Sequence, residues 1–261
     1  MTAIALAEVV RFLDAFLRVG EVPDEPNAVN GLEVENRGWV DRVVAAVDAS
    51  LETIEGLGAA SDSTGARPLL LVHHGLFWDG NVALTGRRFR RIRALLDRDA
   101  ALYAAHIPLD VHPEVGNNVE LARRLGLPVE GWFGHYRGVP IGVHGAAPPA
   151  LADRSRLVAA LEADLDTSAQ LIPGGPERVR RIGIVTGAAG SMIAAARDAG
   201  LDTFITGEGA HHTYFDAMEW GVNLIYAGHY ATEQVGVQAL ARRIHSEFGL
   251  PWEFHRHPTG L

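Results

Sequence analysis

The stretch PLLLVHHGLFWDG, residues 68–80, decides the fold. Pro68 to Val72 form an uninterrupted apolar run, the pattern of a short strand buried on both faces, as in a parallel sheet covered by helices. Two imidazoles, His73 and His74, stand where that strand ends, and Gly75 follows them. Neighbouring side chains on a strand point to opposite faces, so two adjacent histidines serve one site only where the strand begins to unwind.

Working outward, DRVVAAVDAS (41–50) reads as a strand and LETIEGLGAA (51–60) as a helix. RRFRRIRALLDRDA (87–100) is a helix, ALYAAHIPLD (101–110) a strand, and GNNVELARRLGL (116–127) a helix with Gly126 as its C-cap. Residues 3–18 form an opening helix ending near Gly20, and EVPDEPNAVNGLEVEN (21–36) is turn-rich, with Asn30-Gly31 before a short strand. WFGHYRGVPIGVHG (132–145) alternates and predicts a hairpin. Beyond it, LADRSRLVAALEADLD (151–166) is a helix and ERVRRIGIVTGAAG (177–190) a strand entering a glycine turn. SMIAAARDAG (191–200) is a helix, LDTFITGEGAHH (201–212) a strand plus loop, and HTYFDAMEWG (212–221) a helix. VNLIYAGHYATE (222–233) reads as a strand plus loop, and EQVGVQALARRIHSEFG (233–249) as a closing helix.

The strand–helix unit thus occurs three times over residues 41–126 and three times over 179–249. The joints echo one another. RVVAAVDAS answers RRIGIVTGA, PLLLVHH answers DTFITGE, and AAHIPLD answers YAGHYATE. His74 therefore stands opposite Glu208, and the pair His106/Asp110 opposite His229/Glu233, both with the spacing H-x-x-x-[D/E]. These repeats predict a duplicated α/β protein of two pseudo-symmetric lobes with mixed or mostly parallel sheets. The lobes are expected over residues 1–126 and 127–261, with the C-terminal helix free to pack on the first. In such sheets ligands bind beyond the carboxyl ends of the strands. His73, His74, His106, Asp110, Glu208, His229 and Glu233 all fall there, which places a site in the cleft between the lobes.

Composition narrows the chemistry. Of 261 residues, 48% are hydrophobic and 21% charged, a globular balance, and the net charge of −9 argues against nucleic acid as a partner. The one basic run, RRFRRIR (87–93), alternates with Phe89 and Ile92 and reads as the solvated face of a helix. The opening MTAIALAEVVRFLDAFLRVG is interrupted by Glu8, Arg11 and Asp14, unlike a signal peptide, and no apolar run reaches membrane-spanning length. A cytoplasmic protein without a membrane partner is expected. With no cysteine, disulfides and thiolate ligands are excluded, so any metal is held by nitrogen and oxygen. Imidazole with carboxylate suits zinc, manganese, iron or nickel. Two ions about 3.5–4 Å apart would make sense of adjacent histidines, with one carboxylate bridging them.

Five segments carry a resemblance: NGLEVEN (30–36), LLLVHHGLFW (69–78), AAHIPLDVHPEVGNN (104–118), TGEGAHH (206–212) and AGHYATEQVGVQAL (227–240). In kind and order they resemble the signatures of the GTP cyclohydrolase 1 type 2 homologues, also called the NGG-one-interacting-factor-three-like family. The resemblance implies two divalent metal ions between two α/β domains and assembly as a toroidal homohexamer. It also implies His73, His74, Asp110, His229 and Glu233 as metal ligands, with Glu233 bridging. Gly75 stands where many relatives carry proline, an exchange expected to loosen the loop, and the long inserted domain of some relatives is missing. His106 is not carried over as a ligand. It is read as orienting Asp110 or standing behind the ligands, or with Glu208 as moving a proton. His211 and His212 stay open between substrate contact and a polar loop.

The expected function is a metal-dependent hydrolase in which a metal-activated water attacks carbon or phosphorus of a small molecule. The family label implies opening of the imidazole ring of GTP. The alternative is a non-enzymatic metal-storage, metal-delivery or regulatory ring, and a weaker third reading is a ring enclosing nucleic acid. GIVTGAAGS (183–191) lacks the dinucleotide and P-loop patterns and is read as a tight turn rather than a phosphate cradle. Trp78, Trp132 and Trp220 receive no role, and metal binding by the tail HRHPTG (255–260) would be adventitious.

Overall fold

A computed structural model of the protein describes residues 3–58 and 67–261; Ala59 and Ala60 of the helix expected over 51–60 lie outside the described residues. The chain divides into two compact units, Met1–Leu109 with Val237–His257, and Asp110–Gly236 with Pro258–Leu261.

The first unit opens with β1 (Ile4–Ala5) and α1 (Leu6–Leu17). Leu6, Val9, Leu13 and Leu17 recur at helical spacing and are the buried face of α1, each contributing about 1.5–3 kcal/mol of burial before entropy. Arg18, in the left-handed region, ends the helix. Then come β2 (Gly31–Val34), β3 (Trp39–Val40), β4 (Arg42–Asp48), α2 (Leu51–Glu55), β5 (Pro68–His74), α3 (Gly86–Leu96) and β6 (Ala101–Ala104). β4, β5 and β6 are parallel neighbours. On one face Val44, Ala46, Leu70, Val72, Leu102 and Ala104 pack with Ile54 of α2 and Ala94 and Leu95 of α3. From β6, Tyr103 hydrogen-bonds Asp14 of α1 (2.9 Å). β2 pairs antiparallel to β6 with an irregularity between Leu32 and Val34.

The second unit is built on the same scheme. The chain leaves the first unit in α4 (Ile107–Asp110), and after α5 (Asn117–Arg124) come β7 (Gly131–Tyr136), β8 (Val139–Ala146), α6 (Arg154–Leu165), β9 (Gln170–Pro173) and β10 (Arg181–Ile184). They are followed by α7 (Ile193–Asp198), β11 (Thr203–Thr206), α8 (Thr213–Trp220), β12 (Asn223–Tyr226) and α9 (His229–Phe248), which belongs to the first unit from Val237 onward, as does β13 (Trp252–Phe254). The sheet order is β7-β8-β10-β11-β12-β9, against β13-β4-β5-β6-β2 in the first unit. In both, three consecutive parallel strands carry an antiparallel strand beyond the third: β2 against β6, and β9 against β12. This shared arrangement is the mixed, duplicated α/β fold that the echoing joints predict.

Two segments differ from expectation. HIPLD does not continue β6 but turns into the short helix α4, with Pro108 in its first turn, where a missing N–H costs nothing. HYATE is the first turn of α9 rather than a loop, so His229 and Glu233 sit one helical turn apart on one face. No described helix is long and apolar enough to cross a membrane.

Candidate metal centre

In the first unit the end of β5 delivers His73 and His74, and the segment after β6 delivers His106. One ring nitrogen from each lies within 4.8 Å of the other two. His73 is fully buried, and its Nδ1 donates to the Ala105 carbonyl (2.8 Å). His74 Nδ1 donates to Asp48 at the end of β4 (2.8 Å). His106 Nδ1 donates to Asp24 (2.7 Å). A carbonyl or carboxylate only accepts, so Nδ1 is the donor in each ring, and Nε2 is the nitrogen left to face a ligand.

Asp24, which lies in the turn-rich segment before β2, is itself tightly held. Its second oxygen accepts from the backbone N–H of Ile107 (3.0 Å) and from the side chain of Asn30 (2.9 Å), whose own oxygen accepts the His106 backbone N–H (2.8 Å). Burial pushes the Asp24 carboxyl up, but the hydrogen bond and charge of His106, with the Asn30 and backbone donors, outweigh it and hold the group below the usual carboxylate range. Trp78 closes the cluster edge-on, its ring 4.8 Å from His106 and 5.9 Å from His74, with the indole N–H on the Gly75 carbonyl (3.0 Å). Gly75 has a steric reason beyond loop freedom: a Cβ there would overlap the Glu33 carboxylate. That carboxylate accepts the Leu76 backbone N–H (2.7 Å).

In the second unit the start of α9 presents His229 and Glu233. His229 lies between two carboxylates, with Nδ1 on Glu208 (2.7 Å) and Nε2 facing Glu233 (3.1 Å). Burial lowers the affinity of this imidazole for a proton, but the hydrogen bonds and charges of Glu233 and Glu208 together outweigh it and push its pKa up to about 9. A cation is therefore favoured between His229 Nε2 and the buried Glu233 carboxylate. Here a proton fills that place, and a divalent ion suits the same two donors. Gly187, at φ +72°, leaves room for the Glu233 side chain, which a Cβ would overlap. Its N–H donates to Thr232 Oγ1 (3.1 Å), and its carbonyl accepts the Gly207 N–H (2.9 Å) and Thr206 Oγ1 (3.0 Å). The glycine turn of GIVTGAAGS is thus a packing piece against a candidate ligand.

Asp110 is buried, and one of its oxygens accepts from Asn117 (2.8 Å), whose own oxygen accepts the Gly236 N–H of α9 (2.8 Å). Asn118 donates to the Asp110 and Ile141 carbonyls and accepts the Thr186 N–H. Glu208, expected to touch substrate or move a proton, holds the back of His229. His211 and His212 are exposed at the start of α8.

Sequence reasoning missed Asp24, Asp48, Glu33, Asn117 and Asn118. Glu33, Asn117 and Asn118 fell in segments quoted for the family resemblance, without a role of their own. The partners of the histidines are 26 and 82 residues away, with no local signal connecting them. Other histidines are structural: His112 Nδ1 accepts two backbone N–H groups, and His245 Nδ1 donates to the Leu250 carbonyl.

The fold and these donors define a class, an α/β protein whose histidines and carboxylates are arranged as a group that could hold a metal ion. The chain belongs to the DUF34/NIF3 (NGG1p interacting factor 3) family, whose model matches residues 4–258. It is similar to the "GTP cyclohydrolase 1 type 2 homolog" of Deinococcus radiodurans, 45% identical over 256 residues covering 97% of this chain and 94% of that one. The protein of the same name from Archaeoglobus fulgidus is 41% identical over 98% and 99% of the two chains. Among solved structures, protein ybgI, described as of unknown function, matches with TM-score 0.88 and 33% identity over 99% of this chain and 100% of that one. TTHA1606 from Thermus thermophilus matches with TM-score 0.84 and 38% identity, again over 99% and 100%.

Proposed function

We propose that the chain holds two divalent ions through His73, His74, Asp110, His229 and Glu233, and that it is a metal-dependent hydrolase acting on a small molecule. The observation that carries this reading is the hydrogen bonding of the candidate imidazoles. His73, His74 and His229 each have Nδ1 engaged by a carbonyl or carboxylate, which fixes the ring and leaves Nε2 as the atom that would ligate, at His229 in place of its proton; this is the usual second layer around metal-binding histidine. Nitrogen and carboxylate donors without sulfur suit a catalytic rather than a structural ion. When bound, such ions supply Lewis-acid chemistry, lowering the pKa of a water and polarising a carbonyl or phosphoryl oxygen. Glu208 keeps His229 oriented, Asn117 keeps Asp110 oriented, and Trp78 walls one side of the first-unit cluster against water. The name of the relatives points to GTP as the first substrate to assay. By likeness to the family, the chain is proposed to work as a homohexameric ring in the cytoplasm.

Elemental analysis of the purified protein and of His74→Ala tests the reading. Two equivalents of a transition metal per chain are expected, with at least one lost in the variant. A chain that takes up no metal refutes it. A panel of nucleotides, phosphoesters and cyclic amides then tests the hydrolase. Two bound ions without turnover on any member would leave a metal carrier in its place.

A further inference from the structure

We propose that Arg87 and Arg91 of α3 form an anion-binding subsite, and that the small molecule taken by the candidate centre carries a phosphate group held there. The inference rests on the hydrolase reading above and deepens it by naming a substrate class. In a chain of net charge −9, five arginines fall within residues 87–93. That run reads from sequence as a solvated face, yet the apolar Phe89 is 47% exposed while Arg91 is half-buried. The buried residues of α3 are Ala94 and Leu95. At 3.6 residues per turn, Arg91 stands one turn before Ala94 and Leu95, and Arg87 two turns before Ala94. Both arginines therefore lie on the stripe that α3 turns toward the core, which passes from apolar at the end of the helix to cationic at its start. α3 connects the parallel neighbours β5 and β6, so its start lies at the carboxyl edge of the sheet, where β5 delivers His73 and His74.

The guanidinium groups of the run are differently employed. Arg88 is held in place: Nη1 donates to the Gly80 and Val82 carbonyls (3.4 and 3.3 Å), and the group stands 5.1 Å from the centre of the Phe77 ring. Arg93, on the opposite side of the helix, pairs with Asp97 (2.7 Å). Arg87 and Arg91 make no hydrogen bond or ion pair among the described residues, and Arg91 Nε is buried without an acceptor. A buried donor left unmade is costly, and a bound anion supplies the acceptor. The two charges also act on each other. Burial lowers the affinity of Arg91 for its proton and the charge of Arg87 lowers it further, against the pull of Asp48. Asp48 is the carboxylate on His74 Nδ1 (2.8 Å), so Arg91 lies close enough to a residue that orients a candidate ligand to feel its charge. Two planar guanidinium forks one turn apart match the oxygens of a phosphate, which accepts from both and neutralises both. A long polyanion fits less well, because the net acidic chain offers no second basic run to follow its backbone.

The test uses the full chain freed of metal, so that no bound ion contributes to anion affinity, and inorganic pyrophosphate as the probe. Isothermal titration measures its binding to the wild type, Arg87→Gln, Arg91→Gln and Arg93→Gln, with thermal unfolding of each as the control for folding. Arg93→Gln removes the same charge from the same helix, on the side away from the subsite. Arg87→Gln and Arg91→Gln are each expected to weaken pyrophosphate by about tenfold, and Arg93→Gln by less than about twofold. A wild type that does not bind pyrophosphate overturns the inference. Equal losses in all three variants do the same, because they report net charge alone. A single-stranded oligonucleotide that binds through Arg87 and Arg91 more tightly per phosphate than pyrophosphate also overturns it, by giving these arginines to nucleic acid. Should Arg91→Gln fail to fold, Arg87→Gln, at an exposed position, decides. Zinc uptake, measured by chelator competition on the same proteins, separates this inference from the reading beneath it. A wild type that takes up no zinc sinks the metal reading and the substrate assignment with it. One that takes up zinc, with a pyrophosphate affinity indifferent to Arg87 and Arg91, sinks this inference alone.

Discussion

Glu33 offers the most quantitative handle on this fold. Burial in the space left by Gly75 pushes its carboxyl from its ordinary 4.5 up to about 7, although the Leu76 and Phe77 N–H groups and the charge of Arg88 pull the other way. A carboxyl raised on folding favours the folded state fully below 4.5, and that contribution is lost as the pH rises through about 7. At about 1.4 kcal/mol per pH unit the whole difference corresponds to about 3 kcal/mol, of which about 2.5 kcal/mol falls between pH 5 and pH 8.5. Glu33→Gln keeps the shape and an oxygen for the loop N–H groups, and it removes the charge. The variant should therefore be more stable than the wild type at pH 8.5, and its stability should fall by about 2.5 kcal/mol less than that of the wild type between the two pH values. Urea unfolding of both metal-free proteins at both pH values measures this double difference, in which the titration of the histidines cancels. Equal pH dependence in the two proteins, within about 0.5 kcal/mol, would refute the reasoning, and so would a ¹³C-labelled Glu33 carboxyl titrating in the ordinary range.

Two glycines give further tests. Gly187→Ala forces a side chain into the left-handed region, at about 1–2 kcal/mol, and into the Glu233 carboxylate, so a folded variant with at least tenfold weaker zinc binding is expected in chelator competition. Gly145→Ala places its Cβ on the Pro128 carbonyl, which is backbone and cannot swing aside. Urea unfolding should show a loss of about 2–3 kcal/mol, whereas Gly20→Ala, with open space around it, should stay within about 0.5 kcal/mol of the wild type.

What the sequence displayed, and what it hid, follows from the range of the interactions. β5 was legible because a strand buried on both faces is an unbroken apolar run, and the β7–β8 hairpin because alternation and glycines are local. The three-strand parallel core was legible twice because duplication repeats the order of elements. β9 and β13 are edge strands with no helix after them to mark a strand–helix unit, and they are strands because a neighbour pairs with them. HYATE resembles a loop after a strand, yet Gly228 at φ +87° turns the chain and α9 begins at once. The candidate donors were visible as histidines and carboxylates at strand ends. Their supports were not, because pairing Asp24 with His106 or Glu208 with His229 is decided by tertiary packing and leaves no trace in spacing.

The anchoring of the ring nitrogens bears on how tightly an ion would be held by the proposed donors. A flexible chelator must freeze its arms at the moment of capture, which costs about 1 kcal/mol for each side chain immobilised. In His73, His74 and His229 the Nδ1 hydrogen bonds already hold the rings once the chain has folded. Capture then avoids about 3 kcal/mol, or about a hundredfold in dissociation constant. An ion bound by the proposed donors would meet rings already set in place, as a guest does in a preformed macrocycle.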